Sequence, residues 1–184
     1  RRPVTFAQTV NNCPGWRLNV SARVDYNSSL DQYYYTDEDG TIHYFTYSSG
    51  AYKDEYGADI TLVKNADETY TIKDKQDNVL TFTPSGYLWK ITDNNGKTQI
   101  LSYNGADLIK ITDGSGRVTT LTRTAEGYLT GIVDPAGRTT SFSYNGAQLS
   151  RIIYPDGNYT LYSYDSSNKL LSATNYDGYK LIFT

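Results

Sequence analysis

The chain has 184 residues, 38% of them apolar and 20% charged, with 17 Lys and Arg against 20 Asp and Glu for a net charge of −3. That is the composition of one folded domain with a real core, and the interspersed signs exclude the basic footprint of a nucleic-acid binder. No apolar run approaches the ~20 residues of a membrane helix, and a single cysteine, Cys13, rules out an internal disulfide framework. Tyrosine is conspicuous at 19 residues, and with frequent Thr and Ser it makes a strand-favouring mixture. No segment keeps a helical period, so an all-β chain is expected.

Residues 1–51 are irregular. Val4, Thr5 and Phe6 alternate, Asn11-Asn12-Cys13-Pro14-Gly15 is a loop, and Trp16-Arg17-Leu18-Asn19-Val20 alternates again. A strand follows over 22–26, a polar loop at Asn27-Ser28-Ser29, and another strand over 32–35. Thr36-Asp37-Glu38-Asp39-Gly40 matches the later turn Thr92-Asp93-Asn94-Asn95-Gly96, and residues 41–47 return with Ile42, Tyr44 and Thr46 on one face. His43 then falls on the opposite, solvent face. This stretch reads as a β lead-in that caps the rest of the chain and joins it without a linker, a separate small domain being the alternative.

From residue 52 to 184 the chain repeats itself in about six to seven units. Gly96, Gly116, Gly137, Gly157 and Gly178 recur at steps of 20, 21, 20 and 21. Asp77 holds the equivalent place 19 residues before Gly96, and Gly57 lies 20 before that. The unit is clearest at 129–154. Asp134-Pro135-Ala136-Gly137 is a turn in which Asp bonds back to the backbone, Pro presets φ, and Gly takes the positive φ that closes a bulged hairpin. Thr140, Phe142 and Tyr144 alternate with polar residues along a strand, and Asn145-Gly146 is expected to supply both positive-φ residues of a two-residue turn. The second turn recurs at Ser85-Gly86, Asn104-Gly105, Glu126-Gly127 and, more loosely, 165–168.

After that turn comes Leu-x-x-Ile, at Leu88 and Ile91, Leu108 and Ile111, Leu129 and Ile132, Leu149 and Ile152. Strict alternation would put the two on opposite faces, so either a bulge intervenes or both faces are partly covered. Units at a fixed period bury their apolar faces against neighbours. Hairpins laid down in succession give a dozen or more strands, and so long a sheet must curl, as a spiral or part of a barrel wall. Its terminal strands present edges open to adjacent repeats or to a second copy.

Chemistry-bearing residues are sparse. His43 is the one histidine, which excludes a two-histidine metal site and leaves one imidazole for any Ser-His-Asp set. Cys13 reads as a bystander thiol, since a nucleophile needs a base to lower its pKa. Asp37, Asp39, Asp93, Asp113, Asp134 and Asp156 sit in turns, where a lone Asp caps its own backbone; calcium would need six to eight converging oxygens. A glycosidase carboxylate pair would need a cleft that a repeated sheet does not offer. Catalytic, metal and cofactor residues are therefore expected to be absent. A carbohydrate or cell-wall binding module is the alternative, using the aromatic faces of Trp89, Tyr87 and Trp16. The periodic positions are Leu and Ile rather than Trp, and tyrosine beside the turns suits cross-strand pairing.

The run of Tyr-Asp/Asn, a short turn, Leu-x-x-Ile and then Gly-Arg resembles the YD repeat of bacterial RHS proteins, wall-associated repeat proteins and teneurins. It is spelled by Tyr144-Asn145-Gly146, Leu149, Ile152 and Pro155-Asp156-Gly157, by Tyr164-Asp165 with Leu170, and by Gly116-Arg117 and Gly137-Arg138. Gly15-Trp16-Arg17-Leu18-Asn19 resembles the short motif that precedes the first repeats in such proteins. Asn replaces Asp at 104 and 145, Thr83-Pro84 and Arg123-Thr124 lack the pair, and Gly157-Asn158 and Gly178-Tyr179 lack the Arg. The resemblance implies a non-enzymatic wall segment of a hollow β-shell that encloses or displays a C-terminal toxin or effector part. It also implies adjacent repeats as partners and a secreted or surface-displayed bacterial polypeptide.

Overall fold

The computed structural model describes residues 15–49, 51–55, 57, 60–73 and 77–183, so Val4, Thr5, Phe6 and Cys13 lie outside the described residues. Seventeen strands and no helix occur among the described residues. The described residues fall into two compact units, Arg17–Arg117 and 118–183 with residues 15–16. The first carries β1 Arg23–Asn27, β2 Gln32–Thr36, β3 Ile42–Ser48, β4 Ala51–Asp54, β5 Thr61–Lys64, β6 Tyr70–Lys73, β7 Val79–Phe82, β8 Leu88–Thr92, β9 Thr98–Asn104 and β10 Asp107–Asp113. The second carries β11 Val118–Arg123, β12 Leu129–Val133, β13 Thr139–Asn145, β14 Gln148–Ile153, β15 Tyr159–Tyr164, β16 Leu170–Asn175 and β17 Lys180–Ile182. Within each unit every strand pairs antiparallel with the next, the hairpin array expected from the repeats.

Residues 16–22 depart from the expected strand. Ser21 N–H donates to the Leu18 carbonyl at 3.0 Å and Leu18 N–H to Ser21 Oγ at 3.1 Å, so the serine closes a local turn that competes with a ladder. The Arg17 guanidinium fastens this turn to the Ser21 and Asp37 carbonyls at 3.2 and 2.8 Å.

The turns obey a simple rule. On one side of the array a five-residue loop recurs among the described residues: the first N–H donates to the fifth carbonyl and the fourth N–H to the first. This holds at 93–97, 113–117, 134–138, 154–158 and 175–179. Asp93, Asp113 and Asp134 add a carboxylate oxygen that accepts from the third and fifth N–H groups. Asp77, in its glycine-equivalent place, does adopt φ +65°. On the other side two five-residue loops, 65–69 and 83–87, stand side by side, and from 83 on long and short loops alternate. Residues 83–87, 124–128 and 165–169 form five-residue loops, whereas β9–β10 and β13–β14 are joined by two residues. Those two are Gly105-Ala106 and Gly146-Ala147, with φ +59° and +58° at the glycines alone. This is the pattern of a type II′ turn, so the expectation of Asn145-Gly146 as two positive-φ residues is corrected: the asparagine ends the strand and the glycine comes first in the loop.

The Leu-x-x-Ile spacing is resolved by a bulge in each of the four hairpins that carry it. Phe82 pairs with Leu88, Thr81 with Lys90 and Leu80 with Ile91, leaving Trp89 as the extra residue. The same slip leaves Ile109, Thr130, Ser150 and Leu171 unpaired. One added residue restores the period of two, so Leu and Ile share the core face. Leu88, Leu108, Leu129 and Leu149 are all buried.

The Arg17–Arg117 unit folds its sheet back on itself. Phe45 and Phe82 are fully buried and Ile72 nearly so. Across the interior Tyr35 meets Phe82 edge-on at 5.9 Å and Tyr33 meets Tyr70 at 5.4 Å. Edge strand β1 closes against the β7–β8 loop, where Val24 N–H donates to the Gly86 carbonyl at 3.0 Å and Arg23 bridges Tyr87. A Cβ on Gly86 would stand 1.8 Å from the Val24 carbonyl oxygen, so only glycine allows this approach.

Candidate functional site

The recurrent arrangement built by the repeat is a tyrosine tied to a leucine. The β8–β9 ladder ends at Lys90 and Ile100, β12–β13 at Gly131 and Ser141, and β14–β15 at Arg151 and Leu161. In each case the bulge turns the leucine beyond that point away from the ladder, and a tyrosine hydroxyl supplies a donor to its carbonyl. Tyr103 donates to Leu88, Tyr144 to Leu129 and Tyr164 to Leu149, at 2.6, 2.7 and 2.8 Å, always 15 residues on. Burial first, then the neighbouring Tyr87 hydroxyl, pushes the Tyr103 phenol above its ordinary value.

Aromatic partners repeat with the ties. Tyr87 lies 5.4 Å from Tyr103 at 37° and Tyr128 lies 5.2 Å from Tyr144 at 34°, two nearly identical tilted pairs 41 residues apart. At Tyr164 the neighbour is Trp16, whose Nε1–H donates to the Tyr164 hydroxyl at 2.9 Å while its ring meets Tyr162 edge-on at 4.7 Å. Trp16 thus serves the last tie as the paired tyrosines serve the others. Tyr87 is further covered by the Arg23 guanidinium, 4.6 Å above its ring. Trp89 is the bulge residue of β8, 41% exposed, with Lys90 Nζ 5.9 Å from its ring. Trp16 lies in the other unit from Tyr87 and Trp89.

His43 does not face solvent, as alternation along β3 suggested. It stands opposite Tyr35, on the face that carries buried Phe45, and it stacks on the Tyr35 ring at 5.5 Å. Its Nε2 lies 3.1 Å from Asp37 Oδ2. The other oxygen of Asp37 accepts from the N–H groups of Gly40 and Thr41, so the carboxylate closes its own turn. The remaining turn acids behave alike. Hydrogen bonds from the Arg117 side chain and backbone hold Asp113 below the usual carboxylate range, and Arg138 does the same for Asp134. An open groove of about 750 Å³ between the 93–97 and 113–117 loops is lined by Ile91, Asp93, Lys97, Gln99, Asp113 and Arg117. Both of its carboxylates are committed to those turn amides. Among the described residues no group of three or more His, Cys, Asp or Glu side chains is placed to hold a metal.

Together, ladders, bulges and ties define a β-hairpin repeat protein. Residues 103–139, which span Tyr103, Leu129 and the Asp134 turn, match the RHS Repeat family model. The unit of the repeat at 103–139 is thus similar to the RHS repeat. No curated protein matches the sequence. Among solved structures, that of TcdB2-TccC3-Cdc42 is similar over 80% of this chain and 10% of the matched chain, at 14% identity and a TM-score of 0.44. That of TcdB2-TccC3-TEV covers the same shares at 12% identity and a TM-score of 0.38. The chain therefore spans about a tenth of the length of these solved chains.

Proposed function

We propose that the chain is a non-enzymatic wall segment of a longer RHS-repeat polypeptide, secreted or displayed at a bacterial surface, whose repeats enclose or display a C-terminal toxin or effector part. The supporting observation is the phasing of bulge, leucine and tyrosine tie in both units, where three tyrosine hydroxyls are spent on the leucine carbonyl of the preceding strand. Adjacent repeats are the partners this arrangement accommodates. Strand β17 is paired to β16, and Leu181 and Ile182 are 51% and 66% exposed. The lead-in 1–51 acts as the cap and 52–184 as the array.

Limited proteolysis of the full-length parent tests this reading. Its C-terminal part should resist protease while the array is intact and become sensitive when residues 103–139 are deleted. Equal sensitivity of the two forms would reject enclosure.

A further inference from the structure

Asparagine followed by glycine is a reactive pair, because the glycine nitrogen can reach the asparagine side-chain carbonyl with no Cβ in its path. The chain carries three such pairs, Asn95-Gly96, Asn104-Gly105 and Asn145-Gly146. All six residues are exposed, so access to water does not separate the pairs. Hydrogen bonding does.

Asn95-Gly96 is held shut within its five-residue loop. The Gly96 N–H, which would have to lose its proton, donates to the Asp93 carbonyl at 2.9 Å. Asn95 N–H donates to Asp93 Oδ1 at 2.9 Å and Asn95 Nδ2 to Asn94 Oδ1 at 2.9 Å. The side chain that would have to swing toward Gly96 is therefore tied as well.

At the two-residue loops the same groups are free. Among the described residues, neither the Asn104 and Asn145 side chains nor the Gly105 and Gly146 N–H groups have a hydrogen-bond partner. A Cβ built on either glycine meets nothing within 4 Å, so there is open space around each loop. Asn104 and Asn145 are also the last ladder residues of β9 and β13, paired with Asp107 and Gln148. The end of a ladder is where local opening costs least, and one terminal pair is all that must yield for the peptide to turn onto the side chain.

We propose that Asn104 and Asn145 are sites of spontaneous deamidation and that Asn95 is protected from it. The nitrogen of Gly105 or Gly146 gives up its proton to solvent and bonds to the asparagine Cγ. The Cγ–Nδ2 bond breaks, and the leaving nitrogen takes up a proton and departs as ammonia. Water then opens the cyclic imide. Breaking the new Cγ–N bond gives aspartate, whereas breaking the main-chain bond gives isoaspartate, which carries the backbone through one extra methylene. Either product places a carboxylate at the hairpin tip. The second also lengthens a loop whose type II′ geometry is built for two residues.

Ageing of the whole chain in mildly alkaline buffer, followed by tryptic peptide mapping with mass spectrometry, tests this. The three pairs fall in separate tryptic peptides, 91–97, 98–110 and 139–151, and a zero-time sample corrects for conversion during digestion. In the folded chain 98–110 and 139–151 should deamidate roughly tenfold faster than 91–97, the factor that breaking one intramolecular hydrogen bond imposes. In concentrated urea, where those hydrogen bonds are gone, the three rates should converge. Asn104→Gln, whose imide ring would be one member larger, should abolish conversion in 98–110 and leave 139–151 unchanged. Equal rates in the folded chain, faster conversion of 91–97, failure of either 98–110 or 139–151 to convert, or a difference that persists in urea would overturn the proposal.

Discussion

The Tyr144 hydroxyl donates to the Leu129 carbonyl at 2.7 Å, beyond the Gly131–Ser141 pair at which the β12–β13 ladder stops. Tyr144→Phe removes this donor and nothing else of the ring. The expected loss is about 1 kcal/mol in urea denaturation, the net worth of one intramolecular hydrogen bond. Tyr103→Phe should cost a similar amount. The two lie in different units, so their effects should add within about 0.5 kcal/mol.

Gly86 and Gly146 separate two costs of placing a side chain at positive φ. At Gly146 (φ +58°) an added Cβ meets nothing within 4 Å, so Gly146→Ala should cost only the left-handed strain, about 1–2 kcal/mol. At Gly86 the Cβ would collide with the Val24 carbonyl, so Gly86→Ala should also open the β1 closure. Hydrogen exchange at the Val24 amide reads this directly: fast in Gly86→Ala, slow in Gly146→Ala.

The turn acids should behave as caps and not as metal ligands. Asp134→Asn keeps the oxygen that accepts from Ala136 and Arg138 and should stay within about 0.5 kcal/mol of the parent. Asp134→Ala should lose about 1 kcal/mol, as for other lost side-chain caps. Millimolar calcium should leave the Tm of all three unchanged. Because the folded-state values of Asp113 and Asp134 are depressed, their contribution is present above the ordinary carboxylate value of 3.8 and is lost as pH falls through the folded values.

At the alkaline end the sign reverses. Tyr33 and Tyr103 have raised folded-state values, first from burial, so the neutral phenol is the form that folding favours. Their contribution is complete below the unfolded tyrosine value of about 10 and disappears as pH rises through the folded values. Absorbance at 295 nm during alkaline titration should show these two ionising late, together with the loss of far-UV ellipticity.

Hairpins, their period and the burial of the periodic leucines were legible because turn chemistry and the apolar pattern repeat in the same phase. The bulge was half legible: Leu88 and Ile91 sit at a spacing that strict alternation forbids, which signals an irregularity without saying where. Other features depend on partners distant in sequence. His43 sits on the core face because Tyr35 lies opposite, and Ser21 closes a turn where alternation reads strand. Trp16 finds Tyr164 at a separation of 148 residues, which no local pattern encodes. The tyrosine ties could have been found, since the interval from Leu to Tyr is 15 residues in three repeats; reading tyrosine only as a cross-strand ring hid its hydroxyl.

Alternation of five-residue and two-residue loops on one side has a consequence for how such arrays change length. From residue 83 on, the step that returns a loop or a tyrosine pair to an equivalent place is 41 residues, as from Tyr87 and Tyr103 to Tyr128 and Tyr144. Gain or loss of one 41-residue module leaves both flanking modules in frame, whereas a single hairpin of 20 or 21 sets two loops of one kind side by side. Between residues 83 and 169 the brick of this wall is therefore the hairpin pair, whereas 65–69 and 83–87 set two five-residue loops side by side, the junction a single added hairpin leaves.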